Sequence, residues 1–285
     1  MIKAFIPSKY YVAISITGLQ CKLGCPYCKG RYLRGMIPAL TPKELYKVTQ
    51  KLWNHGARGI LISGGFTRDG ALPLTEEHIR VVRRLKQELD IIISIHSGLV
   101  GKTIIDKLWD SQVDFIDFEI PPSTNYLRLM KNLPHHTKDL YLDLLSYALD
   151  HYDKEFMVPH IVVASKTSTI SDEETTIREI RNLNPSKIVI LVEIPLTREK
   201  SVDIDRIVNI IKYTKDTFNG EVVLGCMRPY WIKERLDSEV IERKLIDRIA
   251  TPKKKTIRKY NLEVIYACCS IPAKYIDLFP KGAEA

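Results

Sequence analysis

Three of the six cysteines stand within eight residues, in Cys21-Lys22-Leu23-Gly24-Cys25-Pro26-Tyr27-Cys28. The spacing C-x3-C-x2-C supplies three thiolates, which can hold three irons of a cubane cluster and leave the fourth iron open. Structural iron–sulfur and zinc sites take four protein ligands, whereas a catalytic metal needs an open position. The expectation is a [4Fe–4S] cluster on Cys21, Cys25 and Cys28, and the alternative is a zinc knuckle completed by a distant fourth ligand. The other three cysteines are Cys226 and the adjacent pair Cys268 and Cys269. A lone buried cysteine usually acts as a small hydrophobe, but clustering of this kind points to metal. A second, auxiliary Fe–S cluster on Cys226, Cys268 and Cys269, of the [4Fe–4S] kind, is expected. Adjacent cysteines inside a strand point to opposite faces. Both can reach one cluster only if the strand ends by Cys268 and Cys269 turns in a loop. Arg228 or Ser270 would then complete or cover its fourth iron.

These residues need a scaffold that gathers them. Short, nearly continuous apolar runs occur at 11–17, 59–63, 91–96, 115–120, 158–164, 187–194, 221–226 and 262–268. Such runs read as strands covered on both sides. Amphipathic stretches alternate with them, at 76–89, 102–109, 140–152, 172–183 and 204–217. Another begins at Thr41-Pro42, a cap followed by proline at the first helical position, with Leu45, Val48, Thr49 and Leu52 on one face. Alternation of this kind implies parallel strands and right-handed crossovers. The fold class is α/β: a (β/α)8 TIM-type barrel, or a partial barrel with two appended strands. A single domain over residues 1–285 suits a barrel of about 250 residues. Active sites of such barrels lie at the C-terminal ends of the strands, and all six cysteines fall at those ends. Cys226 and Cys268-Cys269 end the last two strands, which would be neighbours.

Composition narrows the function classes. Hydrophobic residues make up 45% and charged residues 27% of the chain, an ordinary globular balance. No run of about 18 apolar residues reads as a membrane span, and Met1-Ile2-Lys3-Ala4-Phe5 does not read as a signal peptide. A cytoplasmic location without membrane attachment is expected, where three disulfides would not persist. The net charge of +9 admits nucleic acid or an acidic protein as a partner. The dense basic stretch at 253–259 reads first as a solvated loop. No appended RNA-binding module is visible, so nucleic acid is not the expected partner.

The cysteine loop, with an aromatic residue at Tyr27 just before its third cysteine, resembles the signature of the radical S-adenosylmethionine (SAM) superfamily. Further segments are similar to a biotin synthase-related branch resembling the two-component, archaeal-type lipoyl synthases. They are Ile14-Ser15-Ile16-Thr17, Leu61-Ile62-Ser63-Gly64-Gly65, His96-Ser97-Gly98-Leu99, Pro159-His160-Ile161 and Leu224-Gly225-Cys226-Met227-Arg228-Pro229. The resemblance implies that SAM chelates the open iron and that one electron cleaves it to methionine and a 5′-deoxyadenosyl radical. It assigns the SAM amino group to Ser63, Gly64 and Gly65, although Phe66 stands where the family carries glutamate. His96, Ser97, Glu119 and Glu193 would touch SAM, the alternative for His96 and Glu119 being hydrogen-bonded structural roles. Ile170 is carried over as an adenine contact from a motif whose glycines are missing here. The implied activity is a sulfurtransferase of lipoate biosynthesis, acting on an octanoylated lipoyl-carrier protein domain. Its partners would be a second related radical SAM subunit and an electron donor such as ferredoxin. Another radical SAM reaction is the alternative, such as small-molecule or tRNA thiolation or biotin synthase-like chemistry. A zinc protein binding nucleic acid is a further one.

Overall fold

A computed structural model describes residues 2–195 and 202–282. Its elements in chain order are β1 (Lys3–Phe5), β2 (Tyr11–Ser15), β3 (Ile37–Pro38), α1 (Pro42–Asn54), β4 (Gly59–Ser63), α2 (Glu76–Glu88), β5 (Ile92–His96), α3 (Lys102–Asp110), β6 (Phe115–Ile120), α4 (Thr124–Met130) and α5 (Lys138–His151). There follow β7 (Met157–Val163), α6 (Ile170–Asn182), β8 (Lys187–Val192), α7 (Ile204–Thr217), β9 (Glu221–Leu224), α8 (Lys233–Glu242), β10 (Arg248–Ala250), α9 (Lys254–Tyr260), β11 (Glu263–Ile265) and β12 (Lys281–Gly282). The local signals act as expected. Thr41 Oγ1 accepts from Glu44 N at 3.2 Å, Pro42 opens α1, and Leu45 and Thr49 are buried.

One sheet runs β12-β11-β1-β10-β9-β8-β7-β6-β5-β4-β2-β3, parallel throughout except for β12. The sheet curls into a barrel. Residues that alternate along β5 to β9, with Phe5, Tyr11, Ala250 and Ile265, meet in a single interior cluster. A larger cluster fills the layer between the outer sheet face and the helices. β2 and β11 do not pair. The seam between them is filled by the chain after β11: Ala267, Cys269, Ile271, Ile276 and Phe279 join the interior, and the Phe279 ring lies 5.8 Å from that of Tyr11.

The expected strands are present, with ends trimmed by a few residues, but the expected adjacency of the seventh and eighth is corrected. β10 and β1 lie between β9 and β11, both in the sheet and, for β10, in the chain. Both are three residues long and carry Lys3 or Arg248, so neither shows as an apolar run. The basic stretch is also corrected from loop to helix. It forms α9, anchored by buried Thr256 and Ile257, with Lys255 and Lys259 paired to Glu234 (2.6 Å) and Glu242 (3.0 Å). Among the described residues no helix is long and apolar enough to cross a membrane.

Candidate active site

The cysteine loop leaves the C-terminal end of β2 and folds back over the end of β4. Lys22 N and Leu23 N donate to Phe66 O at 3.0 and 3.1 Å. Gly65 N donates to Thr17 Oγ1 at 2.6 Å, and Thr17 Oγ1 donates to Gln20 O at 2.9 Å. The approach demands glycine. A Cβ on Gly65 would stand 2.0 Å from Gln20 O and 2.5 Å from Cys21 Cα. Gly65 therefore fixes where the first thiolate sits. The far side of the loop is tied down by Asn132, whose side chain donates to Leu23 O at 2.9 Å.

Cys21, Cys25 and Cys28 line one cavity of about 100 Å³. Tyr27, Ser63, Gly64 and Gly65 form part of its wall, and His96, Glu119 and Lys131 supply its polar groups. Cys25 and Cys28 share a proton. The Cys25 S–H donates to Cys28, which brings the Cys28 thiol down to about 6 against its burial, with help from the Gly30 N–H and the Lys131 ammonium. The same hydrogen bond, together with burial, pushes Cys25 up. The lowered Cys28 thiol favours its thiolate, and iron displaces thiol protons as it binds. These residues fit an iron–sulfur cluster: three free thiols line one cavity together with His96, Glu119 and the Ser63-Gly64-Gly65 strand end.

Lys131 was not legible as a site residue. Its ammonium lies 2.7 Å from Glu119, 3.3 Å from Tyr27 Oη and 4.8 Å from the Tyr27 ring centre. Burial works against its charge, but Glu119 overrides that and holds the lysine protonated. His96 packs edge-on to Phe66 at 5.2 Å, and burial pushes its imidazole down, towards the neutral form. Ser97 is buried and turns its hydroxyl to Gly98 O at 2.9 Å, away from the cavity wall. Ile170 opens α6 and is 45% exposed, and it does not line this cavity. Glu193, just past β8, is buried with Oε2 unpartnered, and burial raises its carboxyl.

Of the other cysteines, Cys268 and Cys269 lie in the barrel interior. Beyond β11 the chain turns inwards. Arg248, at the start of β10, donates from Nη1 to Cys269 O at 3.1 Å and to Ile271 O at 2.6 Å, drawing this segment into the lumen. Cys269 is buried in the interior cluster, and Cys268 packs against it. Cys226 follows β9 and reaches solvent. Burial raises its thiol first, and the nearby Cys268 second. The Cys268 thiol is raised by its hydrogen bond with Cys269, by burial and by Asp117. Ser270 lies in the same lumen, with Oγ 3.2 Å from His160 Nε2. Arg228 is corrected. It is fully buried, with Nε and Nη2 each 2.9 Å from Asp237 and Nη1 on Gly225 O and Ala250 O, so it braces the strand ends and offers nothing to a ligand.

Asp117 and His160 went unread as site residues, although the sequence carried their signal. Each is an ionisable residue inside an apolar strand, as Glu119 is, and each faces the lumen between the two cysteine groups. Among the described residues no three His, Cys, Asp or Glu side chains converge as a single-ion site requires. A cubane takes each thiolate on a different iron, so its ligands need not converge.

The chain belongs to the radical SAM superfamily, which its sequence matches over residues 15–180, more than half its length. This membership implies a [4Fe–4S] cluster and SAM, and it replaces the zinc alternative. A comparison with curated proteins gives no match. Among solved structures, methylornithine synthase is similar, at 15% identity and a TM-score of 0.57, over 87% of this chain and 72% of that one. Streptococcus suis SuiB bound to S-adenosylmethionine is 14% identical with a TM-score of 0.50, over 86% and 50%. HMG-CoA lyase from Bacillus subtilis is 10% identical with a TM-score of 0.55, over 90% and 87%. This chain spans about half the length of SuiB. At these identities the likeness concerns the fold alone.

Proposed function

We propose that this radical SAM enzyme inserts sulfur, as one subunit of a two-component lipoyl synthase acting on an octanoyl-lysyl carrier domain. The observation that carries the reading is that Cys268 and Cys269 enter the interior of the barrel whose mouth carries the first three cysteines. Cys269 and Cys268 sit in or against the interior cluster, and Ser270 beside them approaches His160 of β7 at 3.2 Å. When bound, the first cluster with SAM supplies a radical able to take hydrogen from an unactivated C–H bond, and the auxiliary cluster supplies sulfide. The chain's own contribution is placement and exclusion of water. Gly65 seats the cysteine loop, Lys131 and Glu119 fix charge at the cavity wall, and the C-terminal segment brings Cys268 and Cys269 into the barrel interior.

The test is anaerobic incubation of reconstituted enzyme with SAM, reductant and an octanoyl-lysyl carrier peptide, read by mass spectrometry. Sulfur added to the peptide supports the reading. A variant with Cys226, Cys268 and Cys269 changed to Ala should keep about half its iron, because two cubanes become one. It should still release 5′-deoxyadenosine but thiolate nothing. Wild-type iron in that variant, or continued sulfur insertion, overturns the reading.

A further inference from the structure

The two ends of the barrel differ in charge and in what they leave uncovered. At the mouth lie the segments that run from a strand's C-terminal end to the helix packed outside it: 16–41, 64–75, 97–101, 121–137, 164–169, 193–195 with 202–203, 225–232 and 251–253. Together they hold ten Lys and Arg against three acids, Asp69, Glu193 and Asp203. At the opposite end, the segments that lead from a helix into the next strand are 55–58, 89–91, 111–114, 152–156, 183–186, 218–220, 243–247 and 261–262. They hold four Lys and Arg against five acids. Two of the ten mouth cations serve the interior, Lys131 paired with Glu119 and Arg228 with Asp237. Lys22, Lys29, Arg34, Arg68 and Arg128 are exposed, and none has an acidic partner among the described residues.

Exposed apolar side chains follow the same division. Among the described residues ten large ones are exposed, and eight of these stand on the mouth segments or in the first turn of the helix that follows. Leu19 and Leu40 border the groove beside the cysteine loop and are 69% and 58% exposed. Leu129, Leu140 and Ile170 lie on α4, α5 and α6, and Tyr230 follows β9. A single exposed leucine is ordinary, but concentration on one face marks a surface that is covered in use. The strands that lead to Leu19 and Ile170, β2 and β7, are four places apart in the sheet, so these groups ring the mouth.

We propose that the barrel mouth is a docking face for an acidic protein domain, which carries the substrate in and covers the mouth during the reaction. The inference rests on the carrier-bound substrate proposed above and assigns the surface that receives it. The occupant follows from the chemistry of the face. A free small molecule needs no exposed leucines around the rim. A second copy of this chain would bring the same positive charge, and like charges facing across an interface repel. Single-stranded nucleic acid also answers positive charge, but it is held by stacking on aromatic rings, and the exposed groups here are mainly aliphatic. A protein that only delivers electrons makes a small contact and needs the outer side of the cysteine loop alone, whereas the cations and apolar groups continue round to Arg128 and Ile170. An acidic domain meets both features, with carboxylates for the unpaired cations and apolar contact for the leucines.

Binding is measured by fluorescence anisotropy between the full chain and a labelled, octanoylated lipoyl-carrier domain of net negative charge, at low and at physiological salt. One variant changes Arg34, Arg68 and Arg128 to Glu. A control changes Lys154, Arg243 and Lys244, exposed at the opposite end, to Glu and so reaches the same net charge. A third variant changes Leu40 and Leu140 to Ser. A thermal melt near that of the wild type shows that each is folded, since every changed side chain is exposed. The mouth reversal should weaken binding at least about tenfold at low salt and less at physiological salt, while the control stays within about twofold. The serine variant should weaken binding at both salts, because apolar contact is not screened. Equal losses in the mouth reversal and the control reduce the effect to net charge and overturn the docking face. Undiminished binding in both mouth variants, or a carrier domain that the wild type does not bind, overturns it as well. If labelled tRNA binds through these arginines and the carrier domain does not, the occupant is wrong. Docking as expected with no sulfur added to the carrier refutes the sulfur-insertion reading and leaves the face standing. Sulfur added to a short octanoyl-lysyl peptide, with carrier binding indifferent to the mouth variants, refutes the docking face alone.

Discussion

Replacing Gly65 by Ala adds one methyl group and tests how the cysteine loop is seated. The new Cβ would stand 2.0 Å from Gln20 O and 2.5 Å from Cys21 Cα, and both obstacles are backbone. Real contacts of this kind stay beyond about 3 Å, so the loop at Cys21 must retreat by roughly 1 Å. Overpacking of this sort costs about 1–3 kcal/mol, or several degrees of Tm for a domain of this size. The larger consequence falls on chemistry. The far side of the loop stays tied to Asn132 through Leu23 O, so moving Cys21 alone distorts the set of three thiolates. A misplacement of about 1 Å can cost a factor of about 100 in rate. The assay is iron content and 5′-deoxyadenosine release under anaerobic, reducing conditions, with a thermal melt. Gly64→Ala is the control. Its Cβ meets only side chains, Thr17 Oγ1 at 3.0 Å and Leu72 Cδ1 at 3.3 Å, which can yield. The expectation is a folded Gly65→Ala protein with reduced iron and about 100-fold slower SAM cleavage, and a Gly64→Ala protein within a few-fold of wild type. Normal iron and normal turnover in Gly65→Ala would refute the argument that backbone contact seats the first thiolate.

Changing Cys21, Cys25 and Cys28 together to Ala should abolish reductive SAM cleavage, and 5′-deoxyadenosine above background from that protein contradicts the cluster assignment. Arg228→Met leaves Asp237 charged and alone in a fully buried pair. It should cost about 3–5 kcal/mol, read as a fall in denaturation midpoint, while a carefully refolded sample keeps its auxiliary iron; loss of that iron without loss of stability would restore Arg228 to the site. Changing Lys253, Lys254 and Lys255 to Glu should weaken binding of an acidic lipoyl-carrier domain at low salt. The difference should vanish near physiological salt, where screening acts over about 8 Å, and equal binding at low salt sinks that docking idea.

The legible parts of this molecule are those with strong local causes. Cysteine spacing located the first site, and continuous apolarity located the strands that carry His96 and Glu119 and the one that ends just before Glu193. What escaped depends on distant partners. β1 and β10 are strands because they pair with each other and with β9 and β11, and no three-residue run announces such a pairing. Lys131 lies in the turn after α4, and its role comes from Glu119 and Tyr27 across the cavity. Arg228 looked available beside Cys226 because the sequence does not display Asp237 beside it. Asp117 and His160 differ from these. The reasoning that selected Glu119, an ionisable group in an apolar strand, applied equally to them.

The pairing of β1 has a consequence for how the chain is made. Lys3, Ala4 and Phe5 bond to residues 248–250 on one side and 263–265 on the other. At about 5–20 residues per second, the first strand emerges roughly 10–50 seconds before either partner exists. During that interval the loop carrying Cys21, Cys25 and Cys28 is already outside the ribosome, along with β2 and β4, which seat it. Cys268 and Cys269 come almost last, and they enter the barrel on the very segment that fills its seam. The two cysteine groups therefore leave the ribosome in a fixed order. The first can receive iron on a growing chain. In the reading proposed above, the second is loaded as the barrel shuts around it or through the mouth afterwards.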